Sequence, residues 1–315
     1  MTAGVPPDAS LAEDRLSTSR PASIWRDTLG NLVRQRNAIF GGVILLFFVA
    51  VAIFADQIAT HDPTMILIGV EDGAKKMTPP CIHLLGCPEA RAEHFFGVDG
   101  NVRDVFSRVV HGTRISLRIG FLTVGFAIII GTLIGALAGY AGGKLDNLLM
   151  RLMDVLLAFP ALLLAIAIVS VLGTGLLNAQ LAIGIVAIPV YARIMRASVI
   201  SIRERDFVTA SRALGESSMG LLGRRIIPNA LTPLIVQGTL GIADAVLSVA
   251  ALSFLGLGAQ PPEAEWGSMI GLARNQMFAA PHLVLFPGFA LALSVLGFNL
   301  LGDGLRDALD PRLNR

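Results

Sequence analysis

Apolar residues gather in six stretches that contain no Asp, Glu, Lys or Arg: Ala38–Ala55, Ile119–Gly143, Val155–Ala192, Ile226–Ala243, Ala245–Pro262 and Asn275–Gly302. A helix needs about 20 largely apolar residues to cross a bilayer. Val155–Ala192 is too long for one such helix and too short for three. Gly173-Thr174-Gly175, with Asn178 just beyond, predicts a turn between two helices there. The two stretches that flank Asp244 predict a single helix over 231–256. The pattern therefore predicts six spans, at about 38–57, 115–140, 153–172, 177–196, 231–256 and 283–303, in an all-α integral membrane protein.

The polar segments between the spans give the organisation. Residues 1–37 form a polar tail, helical near Trp25–Gln35. A first transmembrane anchor over 38–57 precedes a long segment, 58–112. The remaining spans form a core over 113–303, with a short tail at 304–315. No internal repeat is evident. The first apolar run starts too late and runs too long for a signal peptide, and no A-x-A-like cleavage site follows it, so it reads as a retained anchor. Pro160, Pro189, Pro233 and Pro287 each fall in or at a span, where they kink or start helices.

Composition agrees. The 315-residue chain is 54% hydrophobic with a mean hydropathy of +0.68, and only 15% of residues are charged, against roughly a quarter in soluble domains. The net charge of +2 reflects topology and gives no support for nucleic-acid binding. With the N-terminus inside, 17 Lys and Arg residues fall on the inner side and 8 on the outer, so the positive-inside rule predicts both termini in the cytoplasm. The outer cluster Arg103–Arg118, within RDVFSRVVHGTRISLRIG, reads as an interfacial amphipathic helix whose charges lie among headgroups. Cys81 and Cys87 lie in the outer segment, where two readings stand: a small disulfide loop or two free thiols.

The stretch TASRALGESSMGLLGRRIIPNAL, Thr209–Leu231, leaves the membrane between two spans. Phe207, Ala210, Leu214, Ser217 and Leu221 recur at helical spacing and define one face. Gly215 either breaks the run or admits a close backbone, and Pro228 begins the return to the membrane. The face is small and shallow, which favours a protein groove over lipid insertion.

The spacing T-A-S-x-x-x-G-x(9)-R-I-I-P resembles the E-A-A-x-x-x-G-x(9)-I-x-L-P loop of bacterial ABC importer permeases. Ala210, Gly215 and Pro228 match it; Thr209, Ser211, Arg225 and Ile227 depart from it. FFGVDGNVRDVFSRVVHGTRISL, LMRLMDVLLAFP, LSFLGLGAQPPEAEWGSMI and FPGFALALSVLGFNLLGDGLRDALDPRL are similar to the dipeptide/oligopeptide/nickel permease family, in the arrangement of its C-type subunit. Two further departures are Val102, where that family has Gly, and Val249, where an acid is common. Asp244 lies five residues before Val249, about 140° round the helix, so it does not replace that acid on the same face.

The resemblance implies a type I ABC importer permease core in spans 2–6. It implies a coupling helix that docks on an ATPase, carried here by Thr209, Ala210, Ser211, Ala213, Leu214, Gly215, Glu216 and Pro228. The implied partners are a homologous second permease, two ATPase subunits and an extracytoplasmic solute-binding protein, with ATP and Mg bound on the ATPases and no cofactor in this chain. Di- or oligopeptides are the implied solute. Nickel chelates, glutathione, opines and oligosaccharides stay open within the family.

Other chemistry finds little support. No G-x-x-x-x-G-K-[ST] is present, and Gly142-Gly143-Lys144 lacks its spacing and hydroxyl. His61, His83, His94, His111 and His282 are scattered and show no metal-ligand spacing within a span, so no metal and no catalytic residue is expected. Asp244 is the one ionisable residue deep in a span. It is a candidate pathway or gating group, or an acid satisfied by neighbouring hydroxyls or water. Arg151 and Asp154 are spaced to pair along one helix. A stand-alone secondary carrier is the rival reading, but it calls for more embedded charges than Asp244 alone.

Overall fold

The computed structural model describes residues 35–309 except 72–73 and 90, together with residues 30 and 32. The helix expected near 25–35 and the last six residues therefore lie largely outside the described part. Among the described residues the elements are helices joined by turns and a few isolated bridges. They are α1 (Arg36–Ile53), α2 (Ala55–Ile58), α3 (Val105–Ala141), α4 (Gly143–Leu157), α5 (Ala161–Leu172), α6 (Leu176–Arg203), α7 (Asp206–Ala213), α8 (Ser218–Phe254), α9 (Trp266–Ala273) and α10 (His282–Leu309).

Five of these, α1, α3, α6, α8 and α10, are each long and apolar enough to cross a membrane. The bent pair α4–α5, with 92° between its axes, makes the sixth. The third span is thus broken. Pro160 stands immediately before α5 in an extended conformation (ψ 127°), and its ring cannot continue α4. The Gly173-Thr174-Gly175 turn is present. Gly173 and Gly175 take φ of 93° and 144°, and the Asn178 amide donates to the Leu172 and Gly173 carbonyls at 3.0 Å.

The centre of the bundle is the contact of α3 with α6, which glycine makes close. A Cβ on Gly131 would sit 2.7 Å from Tyr191 Cβ, and one on Gly139 would sit 2.8 Å from the Arg196 carbonyl oxygen. One on Gly135 would land on the Ala192 carbonyl oxygen. In lipid, helix association relies on such close approach, because apolar burial alone drives it little. α8 packs on α6, α3 and α10. α1 is seated on α10 at Gly41, whose Cβ would come within 2.8 Å of the Gly297 carbonyl oxygen.

α3 has 37 residues, about 55 Å at 1.5 Å per residue, well beyond a hydrocarbon core of about 30 Å. This corrects the expectation of a separate interfacial helix at Arg103–Gly120. Most of the segment is the beginning of α3, and several of its charges meet protein, while Arg118 is exposed. Arg108 is 1% exposed. It donates to the carbonyls of Pro63 at 2.8 Å and of Pro262 and Glu263 at 3.1 Å. Arg114 donates to the Ala52 and Ile53 carbonyls and to Asp56. Asp104 caps α3 by accepting the Ser107 N–H at 2.7 Å. Burial pushes its pKa up, but the contacts with His94 and Ser107 outweigh that and hold it below the ordinary value of 3.8.

At this end of the bundle α9 is packed in along most of its length, with only Leu272 exposed. Trp266 is fully buried, and its indole N–H donates to the Val109 carbonyl at 3.0 Å. Glu265 caps α9 by accepting the Gly267 and Ser268 N–H groups. Burial pushes its carboxyl above the ordinary 4.5, against the pull of those two donors. Val102 adopts φ 59° while 1% exposed, a left-handed conformation that a β-branched residue rarely takes. Its side chain packs with Leu67 and Val98, and that burial offsets the strain.

The glycine seam yields a prediction. Gly135→Leu should destabilise the purified chain by at least about 1–3 kcal/mol through overpacking, seen as a lower Tm in detergent. Gly125→Ala, where a Cβ meets nothing within 4 Å, should leave the Tm unchanged or raise it.

Candidate functional site: an exposed arm and an apolar cleft

At the end of the bundle opposite α9, the chain between α6 and α8 forms an arm. α7 starts at Asp206, after a bend at Glu204-Arg205. It ends where Gly215 adopts φ 84°. Gly215 therefore breaks the helical run, and a Cβ there would meet nothing within 4 Å. The Ala210 carbonyl accepts the Leu214 N–H, and the Arg212 carbonyl accepts the Gly215 N–H, which closes the last turn. Ser217 then caps α8 by accepting the Gly220 N–H at 3.2 Å.

Two sequence expectations are corrected here. The face from Phe207 to Leu221 is not one helix, because the chain turns at Gly215. The return helix begins at Ser218, so Pro228 lies inside it. Pro228 has no N–H to offer the preceding turn, and α8 accommodates this with a π-helical segment, Leu221–Ile226, directly before it. The Asn229 amide donates to the Arg225 carbonyl at 2.6 Å.

The arm presents most of its side chains to the outside. Thr209, Ala210, Ala213, Leu214, Gly215 and Pro228 are exposed, and Ser211 and Glu216 are intermediate. Leu214 is 89% exposed and Met219 78%. Only Val208, in α7, is turned into the core. Glu216 and Arg225 pair across the break at 3.1 Å, joining the arm to the base of α8. Thus the residues from Thr209 to Glu216 form one exposed surface, and Pro228 stands apart from it on α8.

The base of the arm is fixed by three arginines of α6. Arg196 holds Asp146 of α4 in a two-pronged pair at 2.5 and 2.6 Å. Arg203 donates to the Gly139 carbonyl at the end of α3, at 2.8 Å. Arg193 pairs with Asp154 at 2.6 Å. That last contact replaces the expected pairing of Asp154 with Arg151, which is exposed.

Asp244 lies on the side of α8 that faces a cleft beside α6. It is exposed, whereas Val249 is fully buried, consistent with their angular separation. Asp244 faces a cleft of about 230 Å³ lined by Tyr191, Gln237, Ser248, Thr123 and apolar residues of α3, α4, α5 and α6. A Cβ on Gly241 would collide with the Tyr191 hydroxyl, so glycine there admits the tyrosine. At the far end of the molecule, Cys81 and Cys87 are joined by a disulfide with Cα atoms 5.4 Å apart. His61, Glu71 and His94, far apart in sequence, come together there. Their spacing along the chain carries no metal signature, and only the fold of the 59–104 segment associates them.

Residues 131–315 match the family described as the binding-protein-dependent transport system inner membrane component. Residues 23–80 match the N-terminal TM domain of oligopeptide transport permease C. The chain is 44% identical over 307 residues to a dipeptide transport system permease protein, DppC, of Alkalihalophilus pseudofirmus, covering 98% of this chain and 95% of that one. It is 44% identical over 283 residues to a di/tripeptide transport system permease protein, DppC, of Pseudomonas aeruginosa, covering 90% of each. It is 40% identical over 289 residues to a glutathione transport system permease protein, GsiD, of Pectobacterium atrosepticum, covering 92% and 91%. Among solved structures, the fold resembles the inward-facing MetNI methionine ABC transporter, with a TM-score of 0.53 at 20% identity over 65% of this chain and 97% of that one.

The two acids differ in a testable way. Asp146→Asn should cost about 1–2 kcal/mol, between the limits for exposed and buried charged pairs. Asp244→Asn should change stability by less than about 0.5 kcal/mol, because its side chain is already exposed. Thermal unfolding of the detergent-purified variants compares them directly.

Proposed function

The chain belongs to the family of binding-protein-dependent transport system inner membrane components, whose members are ABC importer permeases, and we propose that it admits di- or oligopeptides. It is a multi-pass membrane protein and a permease subunit. Its partners include an ATPase and a solute-binding protein. In the proposed assembly, a homologous second permease pairs with this one, two ATPase subunits bind ATP and Mg, and this chain carries no cofactor and no catalytic residue. The names of the most similar relatives support the peptide assignment, and glutathione, itself a short peptide, is the neighbouring alternative.

The observation that carries the reading is the arm. An exposed, small-residue surface from Thr209 to Glu216 bridges α6 and α8 through short, hydrogen-bonded turns. A force applied to it reaches two spans at once. Alternating access then follows: the ATPases close, the arm moves with them, and α6 and α8 rotate against the rest. The arginine excess on the arm's side supports placing that side and both termini in the cytoplasm. The opposite end then faces the solute-binding protein. Asp244 and Tyr191 line a cleft on the flank of the bundle, and that flank is the proposed contact with the second permease and the solute path.

Co-purification tests this. The chain is expressed with its neighbouring genes, and ATPase retention is measured for wild type, Ala210→Arg and Leu214→Glu. Both positions are exposed, so neither substitution should disturb folding. Each should reduce retention about tenfold or more, a loss of about 1.4 kcal/mol per factor of ten. Retention equal to wild type in both variants overturns the docking role of the arm. Absence of any ATPase with the wild type overturns the proposed assembly. Asp244→Asn should retain the ATPases and lower peptide uptake.

A further inference from the structure

Five titratable or hydroxyl side chains converge where the 59–104 segment meets the start of α3. His61 follows α2, and Glu71 lies in the short Ile68–Glu71 bridge. His94 is held by a two-way backbone bridge to Cys81, itself locked in the disulfide loop. Asp104 is the cap of α3. The Glu71 carboxylate reaches both rings, with Oε1 at 2.8 Å from His61 Nε2 and Oε2 at 3.1 Å from His94 Nε2. The three donor atoms all lie within 4.8 Å of one another.

The second nitrogen of each ring is also held. His94 Nδ1 lies 2.9 Å from Asp104 Oδ1, and His61 Nδ1 lies 2.8 Å from the Thr60 hydroxyl. His94 therefore stands between two carboxylates. A neutral imidazole carries one N–H, and an ionised carboxylate only accepts. With the Nδ1 proton directed at Asp104, the Nε2 lone pair faces the Glu71 oxygen, and a cation is needed between them. His94 is 4% exposed and Asp104 is fully buried, so water supplies little compensation there. The side chains of His61 and Glu71 are each 19% exposed, which leaves a route from solvent.

We propose that His61, Glu71 and His94 form a site for a divalent metal of the zinc class. Two imidazole nitrogens and one carboxylate are a three-ligand set that leaves a fourth position for water. Imidazole donors select zinc-class ions over calcium and magnesium. Asp104 and Thr60 orient the two rings through their other nitrogens, an arrangement that recurs around metal-bound histidines. The ion ties three separate points of the 59–104 segment to one another, and through Asp104 to the first turn of α3. Its role is to fix the shape of that segment. The site uses none of the arm or cleft residues, so it stands whatever solute is carried.

The test uses the full-length chain in detergent, with any histidine tag removed, stripped by chelator and then titrated with Zn2+ or Co2+ alone. Wild type should take up one equivalent, Co2+ should give the visible absorption of a four-coordinate nitrogen–oxygen site, and Zn2+ should raise the Tm. His61→Ala and His94→Ala should lose that equivalent, while His83→Ala and His111→Ala keep it. Asp104→Asn should weaken affinity about 10–100-fold without removing a ligand. Glu71→Gln, nearly isosteric, should abolish the Zn2+-induced Tm shift, which keeps the test decisive if an alanine variant fails to fold. Failure of the stripped wild type to bind Zn2+ at micromolar free metal overturns the proposal, leaving a proton as the cation beside His94. Undiminished binding in Glu71→Gln or in both alanine variants overturns it too, as does a preference for Ca2+.

Discussion

The seam between α3 and α6 sets the positions of nearly everything else. Gly131, Gly135 and Gly139 bring the α3 backbone against Tyr191, Ala192, Arg196 and Val199 with no side chain between. Lipid chains are as apolar as leucine, so two greasy helices gain little by touching in a membrane. They gain by fitting closely. Once α3 and α6 are fixed at this distance, their ends are fixed as well. Gly139 receives the Arg203 guanidinium, and Arg196 reaches Asp146 across the gap. The arm starts from that clamped end.

The proposed role as a lever asks the arm to be stiff where it joins what it moves and free where it is pushed. The arm satisfies both conditions by different chemistry. Its base is joined by the two-pronged Arg196–Asp146 pair and by Val208 in the core. Its working surface is small and exposed, with Leu214 and Met219 standing clear. The break at Gly215 does not make a hinge of it. Backbone hydrogen bonds from Leu214, Gly215 and Glu216 run back into α7, the last of them across the break, and the Glu216–Arg225 pair ties the residues after it to α8. The π segment below Pro228 widens one turn of α8 without losing the continuity of the helix.

Much of this was legible in the sequence, for a physical reason. Membrane helices announce themselves by what they exclude, and the charge-free runs located the five long spanning helices, while the break within the third predicted span was not read. The Gly173-Thr174-Gly175 turn was equally plain, since glycine there meets a requirement for positive φ. The arm was recognisable as a helical element, but its break was not separable from a close backbone approach until Gly215 was seen with nothing near it. What stayed hidden depended on distant partners. Arg108 looks like a headgroup anchor when only its neighbours in sequence are read. Its carbonyl acceptors, Pro63, Pro262 and Glu263, come from two remote loops. α9 was missed because eight residues around Trp266 show too little periodicity. Asp154 chose Arg193 over the nearer Arg151 because helices α4 and α6 touch there.

The two ends of the molecule are built on opposite plans, and the contrast bears on how motion is distributed. At the α9 end, the fastenings are buried and numerous. Arg108 is satisfied by three carbonyls, Trp266 is enclosed, Glu265 caps a buried helix, and a disulfide closes the loop that holds His94. Such contacts are costly to break one at a time, because each leaves a polar group unsatisfied. At the arm end, the charged contacts are partly exposed, with Asp146 the most sheltered partner, and they are gathered at the base. In the proposed mechanism, rearrangement driven from the arm moves α6 and α8, while the buried contacts of the 59–104 segment, the start of α3 and α9 oppose local opening there. The cleft that Asp244 faces is lined by α3, α4, α5, α6 and α8, and no residue of the 59–104 segment or of α9 contributes to it.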